Sequence, residues 1–192
     1  ALEVAHAAKV VHRDLKPANV YLQESPEDTH GVSVKLLDFG VAKSTGLSGK
    51  DQDATVEGVL LGTPRYMSPE HFDSCFDTNA QLDERADLWS CAAIVYRMLS
   101  GVVPFDGASL NETMRLITTG APRPISELLP GAPAGLDGWF GKAFAKDPRE
   151  RHQNATEFAN AFSAAIDSVS RVSGARIGVT TTTTTLELVA DA

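Results

Sequence analysis

The sequence predicts a mainly α fold with short β-hairpins, an α+β arrangement built on one domain of ordinary size. Three observations carry that expectation. Two short β-rich runs, NVYLQ and VSVKLLDF, both stand before residue 40 and are separated by the polar stretch ESPEDTHG. Beyond residue 86 the apolar spacing turns helical, most clearly from Asp87 to Ser100. And a chain of 192 residues with 43% hydrophobic and 22% charged residues has the composition of a globular domain with a real core.

Taken in order, Leu2, Val4, Ala5 and Ala8 are spaced as the tail of an amphipathic helix. NVYLQ and VSVKLLDF then form a hairpin whose long polar loop is ESPEDTHG. Ser44 to Gly58 is polar, carries glycine and lacks periodicity, which predicts a surface segment. The run Leu88, Trp89, Ala92, Ala93, Val95, Tyr96 and Leu99 is apolar nearly all round, the mark of a helix buried on most faces and hence of the core's central helix. Gly101 is placed to cap it, and Pro104 prevents its continuation. Ser109 with Glu112 spells a capping box for a helix through about Ile117. APRPISELLPGAPAG is a proline-rich connection, and Asn154 with Glu157 opens a last helix carrying Phe158, Phe162, Ile166 and Val169. Trp89, Phe105 and Phe158 are expected in the core. The six consecutive threonines near the end make residues 169–192 a linker or frayed tail, leaving 1–168 as the domain.

Charge and cysteine usage exclude several functions. A net charge of -8 and a pI near 5.0 argue against a nucleic-acid partner, which calls for a basic face. Cys75 and Cys91 cannot form a framework of staples, and a reduced thiol at Cys91 fits a cytoplasmic protein. The most apolar run, Leu88 to Leu99, is interrupted by Arg97 and falls short of a membrane span. The N-terminus has no charged start followed by an apolar core, so no secretory signal is read there.

The chemistry lies in HRDLKPANV, His12 to Val20, and LLDFG, Leu36 to Gly40. Together with GTPRYMSPE (62–70), ADLWS (86–90), GVVPF (101–105) and KDPRERH (146–152), these motifs in this order resemble the C-terminal lobe of a bacterial-type serine/threonine protein kinase, over residues 1–168. Taken singly, Asp14 and Lys16 also read as a surface ion pair and Asp38 as a turn carboxylate. The ordered set outweighs those readings.

The resemblance implies an enzyme that uses ATP and Mg²⁺ to phosphorylate a protein substrate. Phosphoryl transfer spreads negative charge over the moving group, so cations must lie against it and a carboxylate must accept the hydroxyl proton. Asp14 is the implied carboxylate and Lys16 the contact to the transferring phosphate. Asn19, at the H-R-D-x-x-x-x-N spacing, and Asp38 supply hard oxygen ligands of the kind Mg²⁺ prefers. Thr63 implies binding of a Ser/Thr substrate. Arg13 and Lys43 are the implied basic pocket for a phosphorylated Thr55, whose charge would order the segment around it. His12, Phe39, Gly40, Glu70, Asp87 and Arg151 are expected to be structural: Glu70 with Arg151 as a buried ion pair, Asp87 as a helix-capping carboxylate or, as in the family, an anchor for the catalytic loop's backbone.

Two features depart from the family. No two glycines stand two positions apart, so the phosphate-covering loop G-x-G-x-x-G is absent, and the only lysine ahead of Asp14 is Lys9. The expectation is a domain whose N-terminal lobe is a missing partner, in a sequence that starts without methionine and in mid-helix, and whose isolated activity is negligible. A kinase-like binding module without catalysis is the alternative. In addition, Asn19 and Asp38 stand nineteen residues apart, and the hairpin loop is where that length is accommodated.

Overall fold

In the computed structural model, which describes residues 1–27, 31–39, 64–76 and 82–167, the central helix spans Glu84–Ser100 and starts three residues before the expected Asp87. The reason is Asp83, whose side chain accepts the Arg85 backbone N–H at 2.9 Å and so caps the helix. Asp87 is therefore not the cap. It lies a full turn inside, wholly buried, with its carboxylate free for another task. The other end behaves as its sequence predicts: Gly101 takes φ 78°, and its N–H bonds to the Arg97 carbonyl at 2.8 Å.

In chain order the described elements are α1 (Leu2–Ala7), β1 (Val20–Glu24), β2 (Val32–Leu36), α2 (Pro69–Phe76), α3 (Glu84–Ser100), α4 (Leu110–Thr119), α5 (Ile125–Leu128), α6 (Gly135–Ala143) and α7 (Ala155–Asp167). Short 3₁₀ turns at Pro17–Asn19, Pro64–Tyr66 and Pro148–Glu150 punctuate them. The strands form an antiparallel hairpin with Val20 opposite Leu36 and Leu22 opposite Val34. Helix α4 opens on Ser109, whose hydroxyl accepts the Glu112 N–H, and continues to Thr119. Gly107 has to be glycine: a Cβ there would come within 2.5 Å of the Thr113 nitrogen. In α7, Asn154 accepts the Glu157 N–H at 2.8 Å while Glu157 accepts that of Gln153 at 2.9 Å. Glu3 of α1 accepts the Thr156 N–H at 3.0 Å, tying the first helix to the last.

Three helices stand where none was expected. Helix α2 begins on the last two residues of GTPRYMSPE, α5 makes one turn inside the proline-rich connection, and α6 forms despite Gly135, Gly138 and Gly141. Burial accounts for α6: Leu136, Trp139, Phe140 and Ala143 share its inner side, and packing outweighs the glycine penalty.

The core is aromatic and centres on α3. Trp89, 0% exposed, stacks on Phe105 at 5.6 Å and meets the edge of Phe144 at 5.1 Å. Tyr96 meets Phe140 edge-on at 5.1 Å and donates its hydroxyl proton to the Arg123 carbonyl at 2.8 Å. Trp139 packs against Phe158 at 4.6 Å and donates Nε1–H to that residue's carbonyl. Such pairs add about 0.5–1.5 kcal/mol beyond the area they bury. Cys91 is a free thiol that burial pushes up to about 12. No described helix is long and apolar enough to cross a membrane. The polar segment 44–58 and the threonine tail 169–192 lie outside the described residues.

Candidate functional site

The backbone of residues 12–14 makes a turn that the sequence alone does not favour: Arg13 sits at φ 64°, in the left-handed region. For a non-glycine residue that costs roughly 1–2 kcal/mol. Asp87 holds it there. One carboxylate oxygen accepts the His12 N–H at 2.8 Å, and the other accepts the Arg13 N–H at 2.9 Å. Asp87 is wholly buried on α3, so its carboxylate is held in place by the core rather than by the loop. His6 completes the arrangement by donating Nε2–H to Asp87 at 2.9 Å.

His12 then joins this loop to the end of the hairpin. Its buried ring faces the Leu37 carbonyl through Nε2 at 2.9 Å, which makes Nε2 the protonated nitrogen, and packs on Phe39 with centroids 4.8 Å apart. The Leu37 N–H in turn donates to the Asn19 carbonyl at 2.9 Å. These two bonds bring Asp38 beside Asn19 across nineteen residues of sequence. Asp38 is exposed and also left-handed, at φ 53°.

Within the loop, Lys16 donates its Nζ to Asp14 Oδ2 at 2.8 Å, both side chains being partly buried. Buried Asn19 donates Nδ2–H to the Asp14 carbonyl at 2.8 Å. Its amide nitrogen is committed to the loop, so the amide oxygen is the end left for a cation. Asp14, Lys16, Asn19 and Asp38 thus share one site, with His12, Phe39 and Asp87 as its supports. A Mg²⁺ ion is typically held by one or two protein oxygens together with phosphate oxygens. The Asn19 amide oxygen and the Asp38 carboxylate fit that donor set, and no group of three or more His, Cys, Asp or Glu arranged for a metal occurs among the described residues.

Arg13 is half-buried, and its Nε has no hydrogen-bond partner among the described residues. Glu70 and Arg151 lie in a second locus, where α2 meets the chain just before α7. Arg151, 1% exposed, forms a bidentate pair with Glu70 at 2.6 and 2.8 Å and also donates to the carbonyls of Ala145, Arg85 and Lys146. Burial pushes the Glu70 carboxyl up, but the Arg151 hydrogen bonds and charge outweigh it and hold the group below the usual glutamate range. Gly40, Lys43, Thr55 and Thr63 lie outside the described residues.

Sequence reasoning missed two site histidines, His6 and His71. His6 meets Asp87 across 81 positions, a pairing that nothing in one sequence announces. The Nε2 of His71 lies 3.2 Å from the Arg13 carbonyl.

The protein kinase domain family matches residues 1–160 of this chain. The chain is similar to the serine/threonine-protein kinase Pkn1 of Myxococcus xanthus, 36% identical over 173 residues that cover 90% of this chain and 24% of that protein. It is likewise similar to the serine/threonine-protein kinase PknJ of Mycobacterium tuberculosis, 35% identical over 86% of this chain and 27% of that protein. The probable serine/threonine-protein kinase PknB of Bifidobacterium longum is 34% identical over 82% of this chain and 21% of its own length. The chain spans about a quarter of the length of these curated relatives.

Proposed function

This chain belongs to the protein kinase family, of the bacterial serine/threonine type, and from that premise we propose that its residues 1–168 are the C-terminal lobe of a catalytic domain that transfers phosphate from ATP to Ser or Thr hydroxyls of a protein substrate. In the same reading residues 169–192 are a threonine-rich linker or tail. The observation that carries this reading is the convergence of Asp14, Lys16, Asn19 and Asp38 around one loop whose backbone hangs on Asp87.

The parts divide the work as follows. Asp14, held by its backbone, accepts the proton of the substrate hydroxyl as the oxygen attacks. Lys16, already paired with Asp14, is a cation that can turn from the carboxylate to the incoming phosphoryl oxygens, lowering the cost of their charge. Asn19 and Asp38 would hold a Mg²⁺ ion, which when bound would neutralise phosphate charge. Thr63 helps seat the acceptor residue. Arg13 and Lys43 receive the phosphate of Thr55, and the Nε of Arg13, which has no hydrogen-bond partner among the described residues, supports that assignment. Phosphopeptide mapping of active protein should find Thr55 modified, and an active preparation unmodified there removes it from the scheme.

The chain by itself is expected to turn over negligibly, because it lacks the G-x-G-x-x-G loop and the strand lysine that position ATP. An ATP-dependent assay on a generic protein substrate tests both halves of the reading. The isolated chain should be silent. Joined to a strand-rich segment bearing that loop and lysine, it should phosphorylate the substrate, and Asp14→Asn should lower the rate by about 10²–10⁴. Clear turnover by the isolated chain, abolished by Asp14→Asn, sinks the need for a second lobe. A completed domain indifferent to Asp14→Asn sinks the role of Asp14.

A further inference from the structure

The peptide that joins Arg13 to Asp14 is gripped on both of its polar faces. Its N–H points at His12 Nδ1 from 3.4 Å, and its carbonyl, that of Arg13, faces His71 Nε2 at 3.2 Å. His71 is buried at the start of α2, and its other ring nitrogen is fully engaged: the Ser68 N–H donates to Nδ1 at 3.1 Å, with the Ser68 hydroxyl oxygen 2.7 Å from the same nitrogen. A backbone N–H can only donate, so Nδ1 has to be the bare, accepting nitrogen. The ring proton then sits on Nε2, aimed at the Arg13 carbonyl. Ser68 thereby sets the His71 tautomer, and the tautomer makes His71 a donor to the loop.

We propose that His71 is a positioning residue for Asp14. It grips the one carbonyl of the left-handed Arg13 turn, while Asp87 grips that turn's amides. Asp87 fixes where the loop enters, and beyond it the Arg13–Asp14 peptide has, apart from His71, only the long 3.4 Å contact of its N–H with His12 Nδ1 to hold its orientation. The His71 contact fixes that orientation and couples the loop to Ser68, in the segment that runs on from Thr63. The catalytic meaning of this coupling rests on the reading of Asp14 as the base. The coupling itself does not.

The test uses the full 192-residue chain and needs no turnover. Nitrogen-resolved NMR of the histidine rings should show His71 in the Nε2–H form with a slowly exchanging proton. An Nδ1–H or freely averaging ring overturns the proposal. Amide exchange at Arg13 and Asp14 should quicken about tenfold in His71→Leu, the effect of losing one partly buried hydrogen bond. In His71→Gln, whose side-chain amide reaches the same carbonyl, it should stay within about twofold of wild type. Faster exchange spread evenly over α2 rather than centred on Arg13 and Asp14, or equal effects of Leu and Gln, also overturns the proposal. Should His71→Leu fail to fold, the wild-type tautomer and the glutamine variant decide alone. A completed kinase domain that ignores Asp14→Asn would strike the base and leave these results standing.

Discussion

The helical part around α3 and the β1–β2 hairpin use the same kinds of residue to opposite ends. In the first, Trp89, Tyr96, Phe105 and Phe140 are sealed from water. In the second, Tyr21 is 55% and Leu22 63% exposed, with Val32 and Val34 close behind. Apolar type is therefore no guide to which residues hold this chain together. The helical part is stabilised by side-chain burial and by the buried Glu70–Arg151 ion pair. The hairpin, by contrast, is tied at its inner end to residues 12–19 by the Leu37 N–H bond to the Asn19 carbonyl and by the His12 ring bond to the Leu37 carbonyl. Stability and site geometry are consequently separable, and substitutions in the two regions should have effects of very different size.

The largest effect is expected at Glu70. Its removal would leave the Arg151 guanidinium buried against Trp89 with its charge uncompensated. Breaking one side of such a pair costs about 3–5 kcal/mol. Urea unfolding of Glu70→Ala should show a loss of that size. Because the folded state holds the Glu70 carboxyl below its ordinary value, the unfolded state binds the proton first as pH falls. The pair's contribution is thus complete above the ordinary glutamate range, about 4.3, and fades as pH drops through the lower folded value. Comparing stability against pH for wild type and Glu70→Gln reads this directly: the variant's acid slope should be shallower.

Trp89→Ala should come next, at about 3–5 kcal/mol by the same measurement, since it empties the contact among Phe105, Phe144 and two cations. One of those cations is Lys146, which donates to the Ile117 carbonyl at 2.6 Å and lies over the rings of Trp89 and Phe105. Burial, and then the charge of Arg151, bring its ammonium down to about 8. The unfolded chain keeps that proton to higher pH, so stability should rise as pH climbs from about 8 toward the ordinary lysine range. An NMR titration of the Lys146 side chain with a midpoint near that of a free lysine would sink the claim.

These two regions also differ in how legible they were. The hairpin, the α3 run, the Gly101 stop and the boxes opening α4 and α7 could be read because each is a local code in periodicity or capping. That Asp14, Lys16 and Asn19 sit in one loop was legible for a different reason, the resemblance of HRDLKPANV to a family motif, which also implies their roles. What escaped was non-local or overridden. Of the two roles the sequence offers Asp87, the cap falls to Asp83, which lies outside the apolar run, while the anchoring of the loop backbone is the one the structure has. His6 and His71 are unremarkable until folding sets them against Asp87 and Arg13. Helix α6 was hidden by Gly135, Gly138 and Gly141. At Gly138 an added Cβ would meet nothing within 4 Å, so no close approach demands the glycine. Gly138→Ala should therefore raise stability by about 0.5–1 kcal/mol in the same unfolding assay, through the lower backbone entropy of the unfolded chain.

The smallest effect is expected on the hairpin, and it is the sharpest test of the contrast. Along β1 alternate residues share a face, so Val20 and Leu22 point the same way, as do their partners Leu36 and Val34. At the inner end of that face Val20 and Leu36 pack against the core, and two residues further out Leu22 and Val34 have run past it into water. Leu22→Ser exchanges an exposed methyl cluster for a hydroxyl that water can satisfy, so stability should move by no more than about 0.5 kcal/mol. A loss of about 2 kcal/mol or more would mean that Leu22 is buried in solution, and the contrast would fail. The same substitution removes part of an exposed apolar face of the kind that drives association. Sedimentation of the isolated chain should therefore show less self-association for Leu22→Ser than for wild type. A variant that associates as strongly at unchanged stability would place the sticky surface elsewhere.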